Sequence, residues 1–331
     1  MIYNIRQLSW LEDLDLQGGK SMKKIFDLGK DRSAISAVLV IIVVAIVVVA
    51  AVAAYVVLSN EDEKKILAPG STMVYDYEAA GEVLSDAMKA EIIGQNNVDY
   101  FIRGIISVPS IGMEQTIYDL QSKDNAAPEG MVKIGTERVN TIDGEKVLDV
   151  WEKTEGDTKI TIYADSEIEY MVKYETDMGT SAFTYSFVLK SKELVYQKAS
   201  AYKQSDDVGR KATYEYSIYG TTIRLVNECI ADCIDDKFAV KQSVYLNGNP
   251  GSTESLYYMS ETPYGVIIGA TDTGTTRTVT TIDGQKTLNT WEYDQITSMV
   301  YYFVDSETDL IYLIREVSTL LTLELALTSY D

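Results

Sequence analysis

The chain has two cysteines, Cys229 and Cys233, four positions apart, and no histidine. A C-x3-C pair alone makes a poor metal site, because a structural zinc ion takes four thiolate or imidazole donors. The pair reads instead as a candidate disulfide, with two free thiols as the alternative. On one extended strand the two would sit about 13 Å apart, too far to bridge, so a bond requires a turn or helical geometry between them. Asp235-Asp236 just after them fits such a turn. The missing histidine also removes the Ser-His and Cys-His nucleophile pairs and the usual general base. Asp305-Ser306-Glu307-Thr308-Asp309 alternates carboxylates as calcium loops do. No central glycine or closing glutamate follows at loop distance, so a solvated turn is expected there. With no phosphate-cradling glycine loop, G-x-S-x-G or H-E-x-x-H motif, the reading is not an enzyme and has no catalytic residue, cofactor or metal. A membrane-tethered enzyme is the remote alternative, since it would require a carboxylate pair or a Ser-Lys arrangement.

Net charge narrows the partners. With 29 basic and 50 acidic side chains the chain carries −21, which repels phosphate backbones, so no nucleic acid partner is expected. Sparse glycine (21) and proline (5) with abundant tyrosine (24) point to a packed chain rather than a disordered one.

An internal duplication organises the larger part. At a shift of 140, residues 135–152 align with 275–292, and ten of the 18 pairs are identical, including Thr-Ile-Asp-Gly and Trp-Glu. The same shift sets Asp165-Ser166-Glu167 on Asp305-Ser306-Glu307, and a shift of 139 sets Tyr75-Asp76-Tyr77 near Tyr214-Glu215-Tyr216. The reading is two β-rich repeats over residues 71–194 and 211–331, each large enough for its own core, with linkers at 59–70 and 195–210. Trp151 and Trp291 are equivalent and are expected to plug the two cores; carbohydrate stacking is the rival role.

Period-two alternation and short polar breaks predict strands, for example at Thr213–Tyr219 and Phe238–Leu246, and a hairpin from Met299–Val304 to Leu310–Ile314. Asp143-Gly144 and Asp283-Gly284 are expected hairpin turns of type I′. Helix is expected only locally, around Gly81–Ile93. Antiparallel meanders follow, as a sandwich or a curved open sheet. By strand pattern, a curved sheet of this kind resembles the half-barrels of periplasmic lipoprotein carriers.

Ahead of the repeats, residues 37–58 form 22 consecutive uncharged, largely apolar positions. A helix of that length spans about 33 Å, enough to cross a bilayer core. The predicted transmembrane helix covers residues 33–58. Lys20, Lys23, Lys24, Lys30 and Arg32 precede it and Glu61-Asp62-Glu63 follows, so the amino end is expected inside the cell and residues 60–331 outside. Residues 1–32 read as a basic cytoplasmic leader, with Met22 as an alternative start. Alanines 45, 50, 51, 53 and 54 would let this helix associate with itself.

Residues 22–60, with Lys30-Asp31-Arg32 before Ser33-Ala34-Ile35-Ser36-Ala37 and the Val/Ile/Ala run, resemble the amino-terminal segment of archaeal type IV pilin-like proteins. The resemblance implies a peptidase cut between Arg32 and Ser33. It departs from the family's commoner pattern at Ala37, where a proline is usual. The sequence reading is thus a mainly β protein: one transmembrane helix followed by two tandem antiparallel repeats. The membrane-lipid contact is through residues 37–58, and the structural or binding role is toward an extracellular protein or ligand. A processed pilin-like filament subunit is the alternative.

Overall fold

The computed structural model describes residues 65–331 apart from short stretches at 80, 109–112, 124–129, 166–169, 178, 180–183, 219–220, 247–254, 296 and 320–321. The described chain divides between Gln204 and Ser205 into two compact units.

The first unit holds β1 (Lys65–Leu67), β2 (Thr72–Ala79), β3 (Glu82–Gln95), β4 (Asp99–Val108), β5 (Met113–Ser122), β6 (Val132–Thr141), β7 (Gly144–Glu155), β8 (Thr158–Asp165), β9 (Tyr170–Asp177), β10 (Thr184–Glu193) and β11 (Tyr196–Lys198). Strands β2 to β10 pair antiparallel in the order β5-β4-β3-β2-β10-β9-β8-β7-β6. The second unit holds β12 (Lys211–Ile218), β13 (Thr221–Cys233), β14 (Lys237–Leu246), β15 (Ser255–Ser260), β16 (Thr271–Thr281), β17 (Gly284–Gln295), β18 (Ser298–Val304), β19 (Ile311–Ser318) and β20 (Thr322–Tyr330). Its order is β15-β14-β13-β12-β20-β19-β18-β17-β16, the same path strand for strand.

The equivalence extends to register. Tyr75 faces Met88 and Leu189, and Tyr214 faces Leu225 and Leu327. In each sheet a register shift follows the leucine, and another interrupts the second strand, after Ile92 in β3 and after Cys229 in β13. Bulges at matching places give both sheets the same local bend. Each unit buries its own hydrophobic cluster. In the first unit Met73, Tyr75, Met88, Leu148, Tyr174 and Phe187 are buried together; in the second Tyr214, Leu225, Leu288, Val300 and Leu325 are. At roughly 25 cal/mol per Å², each buried tyrosine contributes several kcal/mol to its core.

Three sequence expectations are corrected. Among the described residues no helix is long and apolar enough to cross a membrane, and the helical turns there are Ala199–Ala201 and Ile234–Asp236. A fold led by a transmembrane helix, and the membrane placement drawn from it, therefore give way to a fold of strands. Residues 33–58 and the Arg32–Ser33 junction, on which that expectation rested, lie outside the described residues. The stretch Gly81–Ile93 is strand β3 rather than helix, because pairing with β2 on one side and β4 on the other overrides a weak local propensity.

Within the two linkers, Lys65–Leu67 of the first pairs with Tyr196–Lys198 of the second as a two-stranded ribbon. Ser71 Oγ beside it donates to the carbonyls of Ala68 (2.8 Å) and Val195 (3.0 Å). Finally, the Asp-Gly turns are not type I′. Thr141 pairs with Gly144 and Thr281 with Gly284 around Ile-Asp, and the glycines alone take positive φ, 96° and 94°. That is the hairpin in which a left-handed glycine follows the turn. In both units the threonine hydroxyl donates to the glycine carbonyl at 2.8 Å and accepts the aspartate amide at 3.1 Å.

Candidate functional site

The residues singled out by sequence do not converge. Cys229 and Cys233 both lie on β13 as free thiols, so the expected disulfide is not formed. The turn at Ile234–Asp236 comes after both cysteines and leads into β14; it does not bring one back to the other. Burial raises both thiols, Cys229 to about 12, with the carboxylates of Asp232 and Asp207 adding to the effect on it.

Trp151 and Trp291 pack against their cores but stay half-buried, at the rim rather than as plugs. Lys133 Nζ lies 6.0 Å from the Trp151 ring centroid. Asp305 closes its own turn: Oδ1 accepts the amides of Glu307 (3.0 Å) and Thr308 (3.2 Å), and Oδ2 meets Lys286 Nζ at 2.8 Å. Its first-unit counterpart Asp165 meets Lys146 at 2.5 Å. The turn aspartates are also tied down, Asp143 by Lys192 and Asp283 by the hydroxyls of Tyr312 (2.5 Å) and Tyr330 (3.1 Å).

A different set of residues does come together, on one face of the second sheet. Opposite residues on neighbouring antiparallel strands share a face. Arg277 lies opposite Leu288, Thr290 opposite Phe303, and Tyr301 opposite Arg315. With Thr275, Thr276 and Val317 these residues line a groove of about 410 Å³. Between Asp272 and Thr276 strand β16 slips register, with Gly274 at φ 67° and its amide on Asp272 Oδ1 at 2.9 Å. Thr273 Oγ1 ties this bulge to the Thr290 carbonyl at 2.9 Å, so the irregular end of an edge strand forms one wall.

Two guanidiniums flank an aromatic floor. That of Arg277 stands 5.2 Å from the Phe303 ring centroid, and Arg315 Nε meets Glu324 Oε1 at 2.8 Å. Arg277 is exposed, and among the described residues it forms no ion pair. A planar fork held over a ring, beside threonine hydroxyls, suits a carboxylate carried on an apolar or extended group.

The equivalent face of the first unit has the opposite character. At the same register positions stand Glu137 for Arg277, Thr161 for Tyr301, Tyr163 for Phe303, Glu175 for Arg315 and Asp177 for Val317. Tyr163 donates to Glu175 at 3.0 Å, and Lys173 meets Glu175 at 2.5 Å. Burial first, then the charge of Glu175 with Glu137 and Glu152 behind it, pushes the Tyr163 hydroxyl well above its ordinary value. Sequence reasoning passed over Arg277 although the signal lay in the aligned stretch: among the eight non-identical pairs of 135–152 with 275–292, Glu137 against Arg277 is the charge reversal.

No family model matches the chain, and no curated protein matches it. Solved structures similar to it include MucB in complex with MucA(peri), at 11% identity over 78% of this chain and 89% of that one, with a TM-score of 0.25. The MucA/MucB complex of Pseudomonas aeruginosa gives 11% identity over 81% and 90%, also at 0.25. Kievitone hydratase from Nectria haematococca gives 10% identity over 82% and 91%, at 0.19. At TM-scores this low the likenesses carry no argument about what this chain does.

Proposed function

We propose that the protein is a non-catalytic binding module whose second unit captures an acidic partner in the Arg277–Arg315 groove. The observation that carries this reading is the exposed Arg277 guanidinium over Phe303, without an ion pair among the described residues, in a groove it shares with Arg315 in a chain of net charge −21. Against that background an unpaired cation is a local inversion of sign, and it gives an incoming carboxylate both Coulomb attraction and donors of fixed geometry. Thr275, Thr276 and Thr290 supply further donors along the wall, and the aromatic floor takes the apolar part of the ligand.

The test is the affinity of a fluorescent oligoglutamate peptide for the full chain and for R277A/R315A. The expected result is salt-dependent binding, weakened about tenfold or more in the double variant. Equal affinity in both proteins, or binding indifferent to salt, overturns the reading.

A further inference from the structure

The duplication offers an acidic surface of matching geometry. We infer that the partner taken by the Arg277 face of the second unit is the equivalent Glu137 face of the first unit in another copy of this chain. The inference rests on the acidic-partner reading above and names its source.

Glu137 and Arg277 occupy the same place on equivalent strands, β6 and β16, each one residue along from a threonine, Thr136 and Thr276. Both are exposed, and among the described residues neither forms an ion pair. Opposite unpaired charges at equivalent edge positions are the arrangement that electrostatic complementarity requires.

The edges agree with it. Among the described residues β6 pairs only with β7 and β16 only with β17, so each leaves one side of its backbone without a strand partner. Setting β6 of one copy antiparallel to β16 of another with Glu137 opposite Arg277 places Arg138 opposite Thr276 and Lys133 opposite Thr281. No like charges meet, and the one facing pair of charges is attractive. Exposed Val132 and Ile134 on β6 then face Ile282 and Thr280, burying apolar surface that each copy leaves in water. Because one patch docks on a different patch, the contact is heterologous and propagates head to tail into rings or chains.

The experiment is sedimentation velocity on the full chain in non-ionic detergent micelles, which isolate its 22-residue apolar run. Wild type, E137R, R277E and an equimolar mixture of the two variants are compared at low and high salt. Circular dichroism first checks that the exposed substitutions leave the fold unchanged. Wild type is expected to associate at low salt and to dissociate in high salt. Each variant alone now presents two like faces and associates about tenfold more weakly or less. The mixture restores association, because the native Arg277 of one variant meets the native Glu137 of the other, and the two altered faces are likewise opposite in charge.

Association that survives both reversals, or a mixture no tighter than its components, overturns the inference. A monomer under all conditions overturns it too. The broader reading is scored separately: if the oligoglutamate peptide still binds wild type and not R277E, only the self-partner is lost, whereas equal peptide binding by R277E removes the acidic-partner reading itself.

Discussion

The two units share one sheet path and matching bulges after Ile92 and Cys229, but differ in the charge of equivalent exposed positions. On the first, Glu137, Glu175 and Asp177 hold the positions that Arg277, Arg315 and Val317 hold on the second. The buried positions changed little in kind: Tyr75 and Tyr214 are both fully buried, and so are Leu148 and Leu288. The difference teaches which constraint acts where. A core position must fill a fixed volume among its neighbours, so substitution there is costly. An exposed face of a sheet has no such neighbours, and a glutamate can be exchanged for an arginine with little effect on folding. Duplication therefore supplied two copies of one scaffold, and the outer faces diverged into opposite charges.

The sharpest contrast is at a position both units bury. Cys229 stands where the first unit has Ile92, at the same bulge, and behaves as a small hydrophobe. With its thiol raised from 9.0 to about 12, native protein at neutral to mildly alkaline pH is expected to react with a thiol reagent about a thousandfold more slowly at Cys229 than unfolded chain does. Stopped-flow labelling with and without denaturant, resolved by peptide mass, measures it; equal rates would mean that the site is open.

Next in size, Leu148→Ala and Leu288→Ala each remove a fully buried side chain from an equivalent position. Each is expected to cost about 2–5 kcal/mol in urea unfolding, with similar values in the two units. A large cost in one and none in the other would show that the cores are packed differently despite the shared register.

A smaller effect separates the two buried tyrosines. Tyr75 donates its hydroxyl to the Met171 carbonyl at 3.0 Å, whereas the buried Tyr214 hydroxyl has no hydrogen-bond partner among the described residues. Tyr75→Phe should cost about 1 kcal/mol, while Tyr214→Phe should be neutral or stabilising, because it deletes a buried polar atom that gains nothing. Denaturation midpoints of the two variants test the difference directly.

The smallest effect is acid sensitivity at the Asp305 turn. Burial pushes the Asp305 carboxyl up, but the Lys286 contact and the amides of Glu307 and Thr308 outweigh it and hold it below 3.8. A carboxyl lowered on folding contributes stability that is present above its unfolded value and lost as pH falls through the folded one. Stability should therefore decline below about pH 4, and Lys286→Met should flatten part of that decline. At neutral pH the same variant should cost no more than about 1 kcal/mol, because solvent screens the pair. Thermal melts between acid and neutral pH read both effects.

The sequence alone determined that the chain is duplicated, where the Thr-Ile-Asp-Gly turns fall and which segments alternate as strands. These properties are local: a turn needs a glycine at positive φ, and alternation reflects a pleat of period two. The duplication was legible only where identity survived, over 135–152 and 275–292, at 165–167 and 305–307, and around Tyr75 and Tyr214. Elsewhere it appears only in the pairing of strands, as in the match of Ile92 with Cys229 at the same bulge. Tertiary structure also decided that Gly81–Ile93 is a strand, since partners on both sides outweigh local propensity, and that the linker residues 65–67 and 196–198 form a ribbon. The candidate groove depended on it entirely. Arg277, Thr290, Phe303 and Arg315 come from four successive strands, and only antiparallel register brings side chains so far apart in the chain onto one face.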